Sequence, residues 1–513
     1  MGRASRLLAG LFAAGLLTAP AEAAGAHGPC PSLVELRRRL AAAEWDAGRR
    51  REVDAFAACA ARVGTPVVEP SSRPGLGRAL FVFRGAASKV TLAGDVNGWD
   101  PESDPLERLS GTDLWVRLVD LPDDARLDYK LVVDGGWRLD PWNPRTCTGG
   151  FGPNSELRMP RYAEPEALAP RSDVARGRLE ELPVESRALG GSRTVTVWVP
   201  PGGGPAAAPL PSLYLLDGGD YLEFAGVVAV AERLVAERKV PRLLLVLVPP
   251  VDRRLEYGGN PDFERFVVSE LVPLVDARYP TRREAVARGV MGVSLGGLAA
   301  LSLTARHPGT FGRCGAQSTG GGSEAGREAL FADLARLSPS ASAFHLDVGT
   351  FEKRLHGTDL LALSRRVRDA LLSRGARVQY REVPEGHSWG SWRARIPEAL
   401  SFLFGAAAAR GSAPLVLPGP PEGAERRSGA PVSLDVKDAD LAEVVRGLVV
   451  GRGLSLVLPA GLRGTVTATL RDVPWEQALD LVLSGNGYAF VRDGTVVRVL
   501  SREELLRESA PPR

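Results

Sequence analysis

Five residues constrain this chain more than any others. Gly292-Val293-Ser294-Leu295-Gly296 lies between an apolar, β-branched run and a helix-forming run. Ala285 to Met291 reads as a buried strand, and Leu298 to His307 reads as a helix halted by Pro308-Gly309. A glycine two residues to either side of a serine lets strand and helix cross at a sharp turn. On such a turn the hydroxyl stands exposed, with the positive end of the helix beside it. The pattern predicts a strand-turn-helix with Ser294 at its apex. The rival reading is a glycine-rich structural turn.

A chain of 513 residues is too long for one core, so roughly two to four domains are expected. With 44% hydrophobic and 24% charged residues it has the composition of a globular protein, neither disordered nor built into a bilayer. The net charge of +3 is small, and no arginine-rich run is interleaved with aromatics, so nucleic-acid binding has no support. Arg49-Arg50-Arg51 reads as the solvated face of a helix. Arg3 and Arg6 precede the apolar stretch Leu7 to Leu17, and Ala21-Glu22-Ala23 follows. This is the order of a cleavable leader over residues 1–23, so export to the periplasm or the cell exterior is expected. No stretch reaches the length of a membrane span.

An oxidising compartment gives the four cysteines meaning. Cys30 and Cys59 bracket a helix-rich stretch and are expected to clip a helical hairpin over residues 30–65. Cys147 and Cys314 are then left either to each other or free.

Pro66 to Gly77 reads as a linker. Residues 74–160 carry short alternating runs, among them Ala79 to Phe83, Lys89 to Ala93, Leu114 to Leu118 and Asp128 to Val133. Asn97-Gly98 and Asp134-Gly135-Gly136 supply turns between them. The expectation is a small immunoglobulin-like β-sandwich. Ala93-Gly94-Asp95-Val96-Asn97-Gly98-Trp99, Tyr129 to Trp137 and Pro153-Asn154-Ser155 resemble the early-set family that includes glycogen-binding modules. The resemblance implies a glucan platform of Trp99, Lys130, Trp137 and Asn154. The alternative is a sandwich that only shapes a neighbouring site.

Residues 178–404 alternate apolar strands (Arg193 to Val199, Ser212 to Leu216, Leu243 to Val248) with helices, the clearest spanning Asp262 to Ala277. That order predicts a mainly parallel sheet with helices on both faces. Residues 405–430, rich in Ala, Pro and Gly, read as a tether. Residues 431–501 follow as a compact α+β unit. Its stretches Ser433 to Leu441, Gly464 to Thr467 and Asp472 to Leu479 resemble the short N-terminal domain of secretins and TonB-dependent receptors. The resemblance implies docking to an envelope protein and no chemistry.

A serine on such a turn needs a base, and an acid to orient that base. Of five histidines, His387 follows the last strand, Val378 to Val383, where a loop reaches back to the elbow. Elimination removes His27, His307, His345 and His356. The acid belongs on the turn after the preceding strand, Ala343 to Val348; Glu352 is the first candidate and Asp359 the alternative, with a rival role as a helix cap. Oxyanion donors are expected from the N–H of Leu295 and from Gly218 or Gly219.

Tyr214 to Gly219, Arg254 to Tyr257, Ser269 to Pro273, the elbow with Gly297, His307 to Gly312 and Gly386 to Trp389 together resemble the enterochelin esterase and esterase D superfamily. The resemblance implies an α/β-hydrolase cleaving carboxylic esters with no metal or other cofactor. Its substrates would be a siderophore trilactone, met by Arg253, Arg254 and Arg354, or a feruloyl or acetyl ester borne on polysaccharide. The reading from another class is an inactive envelope scaffold that works through its flanking domains.

Overall fold

The computed structural model describes residues 30–169, 171–204, 207–337, 342–355, 357–405, 415–416, 431–450, 454–459, 461–484, 486, 488–493 and 496–501. The leader-like residues 1–23, His27, His356 and most of the tether lie outside the described residues. The chain divides into two compact units, residues 1–419 and 420–513.

The first unit begins with helices Leu33–Ala42 and Asp46–Val63, joined by a Cys30–Cys59 disulfide. Ser32 opens the first helix by accepting the Glu35 N–H at 3.2 Å. Leu36, Leu40, Phe56 and Ala60 pack together and also cover Leu80, Val82, Leu114 and Val116 of the sheet beneath. That sheet runs Val67–Pro70, Leu76–Arg84, Leu114–Pro122, Glu107–Arg108. The expected linker Pro66 to Gly77 therefore contains a strand. Val67 and Val68 are β-branched and pair with Leu80 and Ala79, which a solvated linker would not do.

A second sheet runs Asp104–Pro105, Val90–Gly94, Arg126–Val133, Gly152–Arg158, Thr146–Gly149, and Gly136–Arg138 pairs with Arg126–Val133. Between the two sheets lies a core that includes Phe81, Phe83, Leu92, Leu127, Tyr129 and Leu131. Side chains alternate across a strand, so Arg126, Asp128 and Lys130 face away from that core. Yet Arg126 and Asp128 are 0% and 1% exposed, because the segment carrying Ser388 covers that end of the sheet.

The third sheet has nine strands in the order Arg178–Ser186, Gly191–Val199, Leu244–Val248, Ser212–Leu216, Arg288–Val293, Arg313–Gln317, Ala343–Gly349, Arg377–Val383, Leu415–Val416. The first two are antiparallel to their neighbours, and the rest pair in parallel. Apolar cores lie on both faces, one under helices Leu295–Arg306 and Leu360–Ser373, the other under Val227–Ala236 and Trp389–Phe404. The expected tether at 405–430 thus supplies an edge strand. The expected helix Asp262 to Ala277 is interrupted: Pro261–Arg265 and Val272–Arg278 are α-helical, with a wider π turn at Phe266–Leu271. Pro273 has no N–H for the carbonyl four residues back, and the wider turn ends at that point. Ala285–Ala287 forms a 3-10 turn, and the elbow strand starts only at Arg288. Cys147 and Cys314 are buried free thiols on different sheets.

The second unit pairs Pro431–Asp440 with Thr465–Pro474, and Ser455–Val457 and Tyr488–Asp493 with Val496–Ser501. Helices Leu441–Val449 and Trp475–Ser484 share with these strands a core of its own, including Val445, Leu479, Phe490 and Val497.

Candidate active site

Ser294 joins the strand Arg288–Val293 to the helix Leu295–Arg306 at φ +55° and ψ −119°. A non-glycine residue held there costs about 1–3 kcal/mol, which the surroundings must offset. The Ser294 N–H donates to Gln317 O at 2.8 Å, and Ser294 O accepts the Gly320 N–H at 3.2 Å. A Cβ on Gly292 would lie 2.4 Å from the Gly296 carbonyl group, and one on Gly296 would lie 3.0 Å from Asp217 Oδ2. The two glycines are what allow so tight a crossing.

His387 follows the strand Arg377–Val383 and Glu352 follows Ala343–Gly349. The imidazole Nε2 lies 3.0 Å from Ser294 Oγ, and Nδ1 lies 2.6 Å from Glu352 Oε2. Glu352 is 2% exposed, and its other oxygen accepts the Gly349 N–H and the Ser318 O–H, each at 2.7 Å. Ser318 in turn accepts the Trp392 indole N–H at 2.9 Å, and the Trp392 ring meets the imidazole edge-on at 4.8 Å. Two backbone bonds, Thr350 N–H to Val383 O at 2.7 Å and Phe351 N–H to Glu385 O at 3.3 Å, knit the acid turn to the histidine loop. Ser318 and Trp392 carry no motif, and nothing in the sequence marks them.

Asp359 stands apart from this group. Its carboxylate accepts the Ala362 N–H at 2.8 Å and caps the helix Leu360–Ser373. Asp347 is also elsewhere, between His345 Nε2 at 3.1 Å and Arg395 Nε at 2.8 Å. Burial alone would raise its carboxyl, but the Arg395 guanidinium and the His345 bond hold it below the usual carboxylate range.

Leu295 is the first residue of the elbow helix, and Gly218 and Gly219 open the short helix Gly218–Glu223 after Asp217 at φ +60°. A Cβ on Gly218 would lie 2.3 Å from the Leu247 carbonyl carbon, so glycine permits this segment to meet the neighbouring strand; Gly219 is exposed. Arg253 is bidentate to Asp217 at 2.8 and 2.9 Å and also donates to Val293 O at 3.0 Å. It braces the elbow from the residue preceding Ser294. Arg254 and Arg354 are exposed, Arg354 beside Gly98.

The Trp99 and Trp137 rings stack at 6.5 Å and 19°, with Trp137 48% exposed. Lys130 is half-buried, and the Asn154 amide donates to Asp128 Oδ2 at 3.3 Å. The Trp99 indole N–H donates to Asp95 Oδ1 at 3.1 Å.

With this geometry in hand, the chain can be set beside known proteins. Residues 186–403 match the Putative esterase family. This segment is similar to esterase domains. Residues 454–502 match the Secretin and TonB N terminus short domain. An endo-1,4-beta-xylanase/feruloyl esterase of Xylanibacter ruminicola is 25% identical over 222 residues, which is 40% of this chain and 30% of that one. The chain thus spans less than a third of that relative's length. An iron(III) enterobactin esterase of Escherichia coli is 26% identical over 336 residues, 58% of this chain and 81% of that one. The enterobactin esterase of Shigella flexneri shares the fold, with a TM-score of 0.55 at 23% identity over 65% of this chain and 94% of that chain. The likeness is one of fold, and it extends over the preceding sheets as well as the esterase-like segment. Among the described residues of the whole chain, no helix is long and apolar enough to cross a membrane.

Proposed function

We propose that the chain is an exported serine ester hydrolase that works through an acyl-enzyme. Ser294 Oγ attacks the ester carbonyl while His387 Nε2 takes its proton, and Glu352 holds the imidazole by Nδ1–H. The N–H of Leu295, with that of Gly218 or Gly219, receives the developing oxyanion, each donor worth about 3 kcal/mol. His387 then gives the proton to the leaving alkoxide, and water repeats the attack to release the acid. The observation that carries this reading is a single imidazole within 3.0 Å of the serine and 2.6 Å of a buried carboxylate. A fluorophosphonate probe is expected to label the wild type and not Ser294→Ala, and nitrophenyl-ester turnover to fall by roughly four orders of magnitude or more. Equal labelling of both, or of neither, favours the inactive scaffold.

Two substrate classes are open to such a site. A ferric siderophore trilactone would seek free cations; the Arg253 charge is already met by Asp217, while Arg254 and Arg354 are exposed. An ester borne on polysaccharide, as for the feruloyl esterase relative, is favoured by the Trp99–Trp137 stack. We read the paired sheets as an early-set sandwich presenting that stack, since indole faces suit the apolar faces of sugars. Trp137→Ala is expected to raise KM for a feruloyl oligosaccharide and leave KM for a nitrophenyl ester unchanged. A ferric trilactone turned over faster than any feruloyl sugar reverses the order.

The leader pattern and the secretin-like unit support a place in the cell envelope, with residues 431–501 docking to a protein there. Pull-down from an envelope extract, with and without those residues, tests this. An unchanged set of partners refutes docking.

A further inference from the structure

The His387 loop is held from the N-terminal sheets as well as from within the hydrolase, where Arg395 pairs with Glu385 at 2.9 Å. Pro384 O accepts the backbone N–H of Arg126 at 3.1 Å, and Arg126 bridges in parallel to Glu385, so the loop starts out paired to the strand Arg126–Val133. The Arg126 guanidinium then reaches beneath it and donates to Ser388 Oγ at 2.8 Å and Ser391 Oγ at 3.4 Å. Asp95 Oδ1 accepts the N–H of His387 itself at 3.3 Å, while Oδ2 accepts the Asp128 N–H at 2.7 Å. The fit leaves no room for side chains. A Cβ on Gly386 would lie 1.9 Å from Asp95 Cγ, and one on Gly390 would lie 1.9 Å from Arg126 Nη2. A buried guanidinium must be paired to be tolerated, and here Asp128 at 2.7 Å and Glu156 at 2.8 Å do so.

We propose that Asp95 and Arg126 are positioning residues for Ser294 chemistry: they clamp the His387 loop at two points, so the N-terminal sheets are part of the catalytic unit. The inference rests on the serine-hydrolase reading above. Neither side chain acts on substrate; both act through the imidazole. The ring must meet Ser294 and Glu352 at once, and a misplacement of about 1 Å costs on the order of 100-fold in rate. Fastening the loop to a second domain fixes it at two points the hydrolase sheet does not supply.

Two variants of the full chain test the clamp. Asp95→Asn preserves size. Ser388→Ala removes the shorter of the two guanidinium anchors while leaving Arg126 paired to its carboxylates, and it spares the following helix, for which Ser388 makes no side-chain cap. With a nitrophenyl ester, kcat per active site (counted by fluorophosphonate titration) is expected to fall roughly 10- to 100-fold in each. KM should stay within about twofold, and the melting temperature should fall no more than about 4 °C below wild type. A purely structural role would lower the melting temperature or the titratable fraction and leave kcat per site unchanged; that result overturns the proposal. Turnover in the wild type with unaltered kcat in both variants removes this inference alone. A wild type without Ser294-dependent turnover removes the hydrolase reading and the clamp together.

Discussion

Two candidate acids, Glu352 first and Asp359 as its alternative, differ in what surrounds them. Glu352 has a donor for each oxygen and faces the imidazole, whereas Asp359 spends its charge on a helix end. Glu352→Gln keeps the shape but offers the wrong group to Nδ1, so kcat should fall by about 10³–10⁴-fold with the melting temperature nearly unchanged. Asp359→Ala should do the reverse, costing about 1 kcal/mol in denaturant titration and leaving kcat alone. Asp95 adds a pH dependence. Burial, with the Asp128 carboxylate beside it, pushes its carboxyl from 3.8 up to about 7. An acid raised in the folded state lends stability that is whole below its unfolded value and drains away as pH climbs through the folded one. Asparagine does not titrate, so the melting temperature of Asp95→Asn relative to wild type should rise between about pH 5 and about pH 8. An unchanged difference across that range would count against a raised Asp95. Neither Asp95 nor Arg126 was legible as functional. In sequence Asp95 sits beside the Asn97-Gly98 turn and Arg126 lies ahead of the expected strand Asp128 to Val133, and only docking of a second domain buries them.

At the scale of elements, legibility followed periodicity. The strand Ser212–Leu216 and the elbow helix stand out because their apolar patterns are unbroken. The strand Val67–Pro70 hid in a run rich in Pro, Ser and Gly, and the short strand Leu415–Val416 hid in the tether, since two to four residues carry no period. The π turn at Phe266–Leu271 was invisible because its apolar spacing still fits a helix. The elbow is the element least tolerant of change. Gly292→Ala would drive a methyl into the Gly296 carbonyl, and loss of both soluble yield and fluorophosphonate labelling is expected. The helical hairpin is tied by a disulfide spanning 29 residues, worth about 3.5 kcal/mol in the chain-entropy account. The pair Cys30→Ser and Cys59→Ser should therefore lower the melting temperature while nitrophenyl-ester kcat holds.

Over the whole molecule, the second unit carries its own core, so a chain ending at residue 419 should retain full kcat on a small ester. A large drop on truncation would tie catalysis to that unit. The order of regions was readable because each has its own periodicity. How the sheets meet the hydrolase was not readable, because burial of an outward-facing arginine leaves no mark on the alternation that encodes its strand. The helical hairpin blankets the outer side of the first sheet through Leu80, Val82, Leu114 and Val116. The opposite outer side is shared between the hydrolase contact at Arg126 and Asp128 and the still accessible Trp137. A molecule settling on that second sheet would therefore meet one end already occupied and the stretch around Trp137 still open to solvent.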